Sequence, residues 1–243
     1  MPKRIKIFLL LLLTIIQTIN SRNYGDEYFQ GPICNDGRNQ SPIELSDLDS
    51  AYHESCVITS VNYNKIPNSY LFNDRRVVKL FTKDNIPNYG TIYYRKKGYL
   101  NKYELIDIEI YFSGEHIIKD DKGNKNKPQL EIKLIHRRVE NYNPSVNQGK
   151  SFTESNNYLI VRLLYQTTGT FSDKNFLTDL VSSYSSSADI NQTLDLSSYD
   201  ILKNNKYFMY DGSFTYYPCD EDVSYIVVRD IFKLDEANQN KIR

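Results

Sequence analysis

Tryptophan is absent from the chain, and histidine occurs only three times, at His53, His116 and His136. Imidazole chemistry therefore has few places to reside. No Ser-His-Asp or Cys-His constellation is visible, so a hydrolase of that kind ranks last among the readings. An excess of charge of one sign is lacking too: 30 basic residues meet 30 acidic ones. That balance gives no global sign of a nucleic-acid binder. Internal repeats and long linkers are also missing, which leaves one large domain as the simplest organisation.

A long hydrophobic run is lacking as well. The longest, Ile7 to Ile16, is broken by Thr14 and is short for a membrane span. It follows Lys3, Arg4 and Lys6 and precedes the polar, small-residue stretch Gln17 to Ser21. This is the pattern of a secretory signal peptide. Residues 1–21 are therefore expected to be a cleaved leader, with 22–243 as the mature domain and no membrane span left after cleavage. Losing the three leader cations leaves 27 basic residues against 30 acidic ones. Cys34, Cys56 and Cys219 survive cleavage, an odd number for an oxidising compartment. Spacing alone does not choose the pair. Asn39 and Asn191 head sequons for glycosylation, whereas Asn143 is excluded by the following proline.

What is abundant is β-branched and aromatic sequence in short runs. Val77 to Phe81, Thr91 to Tyr94, Leu105 to Phe112, Leu130 to His136, Tyr158 to Tyr165 and Tyr225 to Val228 read as strands. Asp120 to Pro128 and Asn141 to Gly149 are turn-rich. Phe176, Leu177, Leu180, Val181 and Tyr184 recur at helical spacing, with Ser172 or Asp173 placed to cap the start. The serine-rich stretch Ser182 to Ser187 is expected to end that helix. The fold class is mainly β, built on a large, twisted, mostly antiparallel sheet with a few short peripheral helices.

Period-two geometry assigns faces. Asp107, Glu109 and Tyr111 share one face of their strand, with Ile108, Ile110 and Phe112 on the other. Glu131, Lys133 and Ile135 share a face opposite Ile132, Leu134 and His136. Four segments then resemble the alpha-carbonic anhydrases. Asn39-Gln40-Ser41-Pro42-Ile43 is similar to that family's Gln-Ser-Pro-Ile segment. Gly114-Glu115-His116 resembles its Ser-Glu-His, and Glu131-Ile132-Lys133-Leu134-Ile135-His136 its Glu-Leu-His-Leu-Val-His strand. Tyr210-Asp211-Gly212-Ser213-Phe214-Thr215, followed by Pro218-Cys219, resembles its Tyr-x-Gly-Ser-Leu-Thr-Thr-Pro-Pro-Cys loop. Their order and their span, from about residue 32 to 230, make the set specific.

The resemblance implies a fold, a cofactor and an activity, and it shows what is missing. The family's three zinc histidines fall on Glu109, Tyr111 and Lys133. Zinc lowers the pKa of its bound water to about 7, and that hydroxide attacks carbon dioxide. A carboxylate, a phenol and an ammonium make a poor tetrahedral zinc site, so no cofactor and no catalysis are expected. The family's proton-shuttle histidine falls on Arg76, which holds its proton at neutral pH. Thr215 matches the threonine that orients the zinc hydroxide, Glu115 its acidic partner, and Glu131 the carboxylate behind the ligands. Ile135, Val161, Phe214 and Tyr225 match the apolar wall for carbon dioxide. A Glu109–Lys133 ion pair is expected where the metal would sit. The resemblance pairs Cys34 with Cys219 and leaves Cys56 single. Tyr216-Tyr217 departs from the family's Thr-Pro, and the domain looks shortened at its C-terminus.

Two functions follow as expectations. The first is an inactive extracellular binding or interaction domain whose partner is a protein or an acidic polysaccharide. The basic clusters Arg75 and Arg76, Arg95 to Lys97, Lys119, Lys122, Lys125 and Lys127, and Arg137 and Arg138 suggest the polysaccharide. The alternative is a zinc-dependent carbonic anhydrase with an unusual metal site, in which Glu115, His116 or Glu131 would assist Glu109.

Overall fold

The computed structural model describes residues 37–46, 56–67, 69–73, 77–82, 89–139, 156–169, 173–184, 190, 193–198, 202 and 206–243. The leader, Cys34, His53, Arg75, Arg76 and Asn191 lie outside them. Strands dominate the described residues. In chain order they are β1 (Glu44–Ser46), β2 (Cys56–Tyr63), β3 (Lys65–Ile66), β4 (Ser69–Asn73), β5 (Val77–Thr82), β6 (Gly90–Lys96) and β7 (Tyr99–Tyr111). There follow β8 (Ile117–Lys119), β9 (Lys125–Asn126), β10 (Leu130–Arg138), β11 (Tyr158–Thr168), β12 (Leu194–Asp195), β13 (Tyr207–Gly212) and β14 (Val223–Asp235).

Nine strands form the main sheet, in the order β13-β14-β11-β10-β7-β5-β4. The 13-residue β7 takes two partners on one edge, β6 against Tyr99–Glu104 and β5 against Glu109–Tyr111, and β2 pairs with β6. All of these pairings are antiparallel except β11 with β14, which is parallel. The sheet curls: Lys96 at the end of β6 forms an ion pair with Asp211 on β13, the strand that ends the opposite side of the order. Near the start, Ser41 packs against Gly212 so closely that a Cβ there would sit 2.1 Å from the Ser41 hydroxyl. A side chain there would have to displace the Ser41 hydroxyl.

Apolar residues cover both faces. On one, Ile108, Ile110, Ile132, Leu134, Val161 and Leu163 share a cluster with helix α1 (Phe176–Ser183). Phe176, Leu177, Leu180 and Val181 of α1 are all buried, each worth roughly 1.5–3 kcal/mol. On the other face, Ile135, Ile160, Leu164, Phe214, Val223, Tyr225 and Val227 form a smaller cluster. The helix cap differs from expectation. It is Asn175, whose side chain accepts from the Thr178 amide at 3.1 Å. Asp173 instead accepts from the Lys233 amide at 2.6 Å, which ties the loop to β14. A second helix, α2 (Glu236–Ile242), is an addition to the sequence reading; Asp235 caps it by accepting from the Asn238 amide at 2.8 Å.

Candidate functional site

The site forms where β7, β10 and β11 lie side by side and the segment after β13 crosses their second face. The register places Glu109 opposite Lys133, and Lys133 opposite Arg162. It also places Lys79 of β5 opposite Glu109 on its other side. Glu109 therefore lies between two lysines. Its ion pair is with Lys79, and it accepts from the Tyr111 hydroxyl at 3.0 Å. The expected Glu109–Lys133 pair is thus corrected. They do face each other, but Lys133 turns to the residues of the crossing loop.

There the Lys133 ammonium donates to Thr215 Oγ1 at 2.8 Å and lies 3.1 Å from Glu115 Oε2. Thr215 in turn donates to Glu115, its Oγ1 being 3.0 and 3.2 Å from the two carboxylate oxygens. Nζ also sits 3.7 Å from the centroid of the Tyr111 ring, a cation–π contact. Lys133 is buried, 1% exposed. Burial, then repulsion from Arg162, push its pKa down to about 8 against the pull of Glu115 and Glu109. It remains an ammonium at pH 7.

Sequence reasoning missed Arg162, which is fully buried and binds the two acids at the centre of the site. Its Nη1 lies 2.8 Å from Glu115 Oε2 and 3.2 Å from Glu131 Oε2. The signal was a lone arginine inside the apolar run Tyr158–Tyr165, at the strand position registered with Lys133. Glu131 also accepts from the His116 amide at 2.6 Å and from its ring Nδ1 at 3.1 Å. A carboxylate only accepts, so Nδ1 carries the proton and Nε2 accepts from the Tyr210 hydroxyl at 2.7 Å. Burial opposes ionisation of Glu131, but His116 and Arg162 prevail and hold its pKa down at about 2. Glu115 is shifted the same way: burial raises its pKa, and Arg162 with Lys133 more than reverse that. Burial, with Glu109 beside it, keeps the Tyr111 phenol protonated.

Of the residues expected to form the apolar wall, Ile135, Phe214 and Tyr225 share one cluster. Val161 is corrected. It pairs with Leu134 on the opposite face, and Ile160 takes its place beside Ile135 and Tyr225. Of the sequon and cysteine candidates, Asn39 is exposed and Cys219 is buried.

A long curled sheet carrying a Thr–Glu pair and a buried Glu–His pair at the crossing of β7, β10 and the segment after β13 defines a carbonic-anhydrase-type protein. The chain belongs to the eukaryotic-type carbonic anhydrase family, whose model matches residues 24–243. Among solved structures it is similar to dioscorin, solved in complex with ascorbate, at 23% identity and TM-score 0.63, covering 90% of this chain and 80% of that one. The halotolerant carbonic anhydrase of Dunaliella salina is 18% identical at TM-score 0.62, with 86% and 78% covered. The alpha-carbonic anhydrase of Thermovibrio ammonificans, bound to sulfanilamide, is 18% identical at TM-score 0.59, with 87% and 80% covered. No curated protein sequence matches the chain.

The family is normally zinc-dependent, and the residues here do not fit zinc. Zinc is held by thiolate, neutral imidazole or carboxylate. The three positions offer instead a carboxylate already paired with Lys79, a protonated phenol, and an ammonium paired with Glu115. The nearby His116 has both ring nitrogens engaged.

Proposed function

We propose that the chain is a secreted, catalytically inactive carbonic-anhydrase-like protein that serves as an extracellular binding or interaction domain. The observation that carries this reading is the Lys133 ammonium. It is buried at a ligand position and donates to Thr215, the threonine that in the family orients the zinc hydroxide. A fixed cation at that point excludes a second one, and without the metal no hydroxide is generated at neutral pH. The leader at residues 1–21, glycans on Asn39 or Asn191, and a Cys34–Cys219 bridge belong to the same proposal. Exposure of Asn39 and burial of Cys219 agree with it. Among the described residues, no helix is long and apolar enough to cross a membrane.

Of the two partner classes, the acidic polysaccharide loses support. Lys96 is paired with Asp211, Lys119 and Lys125 are paired with Glu44, and Arg138 donates to Asn157 at 2.7 Å. An extracellular protein partner is the version we favour, and salt-sensitive retention on heparin would reverse that order. Metal content of the secreted protein, measured by mass spectrometry with carbon dioxide hydration on the same sample, tests the main reading. Negligible zinc and no hydration are expected. Stoichiometric zinc with chelator-sensitive turnover would establish the zinc-dependent alternative instead.

A further inference from the structure

Two cations meet one carboxylate oxygen in this site: Glu115 Oε2 lies 3.1 Å from Lys133 Nζ and 2.8 Å from Arg162 Nη1. Lys133 explains why a ligand is missing. Arg162 occupies no ligand position, and its role is separate. We propose that Arg162 is a second, independent lock against metal, so that restoring imidazoles at 109, 111 and 133 does not by itself recreate a zinc site. This rests on the reading of an inactive, metal-free pocket and adds a residue to it.

Three observations support the lock. First, the guanidinium faces Lys133 across the β10–β11 register, so a divalent ion placed where Nζ now sits would meet a fixed positive charge. Second, Arg162 engages both carboxylates behind the site, Glu115 and Glu131. Metal-binding histidines need such acceptors to fix their tautomer and orientation. Glu131 already serves the His116 amide, the His116 ring and Arg162, which leaves it little capacity for a histidine at 133. Third, among the described residues Arg162 Nε and Nη2 find no hydrogen-bond partner although the side chain is fully buried. Buried donors without partners are costly. The arginine is therefore held by its two carboxylates and by the Tyr225 ring, 5.3 Å from Cζ, and not by hydrogen bonds around the rest of its fork.

The test uses four forms of the full chain: wild type, E109H/Y111H/K133H, and that triple variant with R162Q or with R162K. Zinc affinity is read by competition with a chromophoric chelator, and folding by near-ultraviolet circular dichroism. We expect the R162Q form to bind zinc about ten- to a hundredfold more tightly than the triple variant, the range for losing supporting carboxylates around a metal. The R162K form, which keeps the charge, should stay as weak as the triple variant. Equal affinity in the triple and R162Q forms, or tight binding by R162K, would overturn the proposal. If the metal-free variants lose their folded signal, refolding with zinc decides the matter. Recovery in the R162Q form alone supports the lock; recovery in both the triple and R162Q forms, or in neither, refutes it. Failure of the inactive-pocket reading would show separately, as zinc bound by the wild type.

Discussion

The two faces of β10 bury polarity in opposite ways. On the α1 side, His136 donates from Nδ1 to the Leu159 carbonyl at 2.9 Å and accepts from the Tyr63 hydroxyl at 2.9 Å. Both ring nitrogens are satisfied by neutral partners, and burial drives the imidazole pKa down to about 4. Three residues back, on the other side, Lys133 keeps its charge within a network containing Glu115, Arg162 and Glu131. A single neutral ring is satisfied by two local hydrogen bonds. A buried charge draws in a counter-charge, Glu115 from the segment between β7 and β8, and that acid holds a second cation from β11. The neutral face tolerates change one group at a time, whereas the charged face stands or falls together.

The largest expected effect is on the charged face. Arg162→Met leaves Glu131 buried against His116 alone and should cost about 3–5 kcal/mol in guanidinium unfolding; a loss below about 1 kcal/mol would mean the network behaves like a surface pair. Acid should separate the faces next. His136 has a folded pKa depressed from 6.5, so its stabilisation is present above pH 6.5 and fades as pH falls towards about 4. Glu131 is depressed from 4.5 to about 2, so its contribution is present above pH 4.5 and fades between there and pH 2. Each is on the order of 3 kcal/mol. In stability–pH curves, His136→Asn should flatten the upper window only and Glu131→Gln the lower one only. Double-mutant cycles come third. Lys133 should couple to Glu115 by roughly 1–3 kcal/mol, and to Glu109 by clearly less. The reverse order would restore the direct Glu109–Lys133 pair. The smallest change is Tyr63→Phe, at about 1 kcal/mol, with the lower acid window unmoved.

The faces of β7 and β10 were legible because alternation has a period of two and Glu109, Lys133, Ile135 and His136 each had to fall on one side. The partners were not. Lys79 meets Glu109, and Arg162 meets Lys133, through strand pairings across long stretches of sequence that local pattern does not reveal. Val161 shows how small an error suffices: a slip of one residue on β11 moves a side chain to the opposite face, and Ile160 was the residue wanted. For α1, the side chain that caps is the one with the right backbone angles, here Asn175 at φ −152° and ψ 174°. Asp173 had the right chemistry in the wrong place, and Ser172 lies outside the described residues.

The parallel seam between β11 and β14 has a consequence in time. Antiparallel neighbours can zip from a turn, but these two strands are separated by residues 169–222 and must close that whole excursion before pairing. Lys133, Glu115 and Arg162 lie on the earlier side of the seam; Thr215 belongs to the excursion and Tyr225 to the strand that ends it. As the chain grows from its N-terminus, the cations and their acids are made first, and the hydroxyl that completes them arrives near the end. The site is therefore complete only once that excursion has closed and brought Thr215 within 3.0 Å of Glu115.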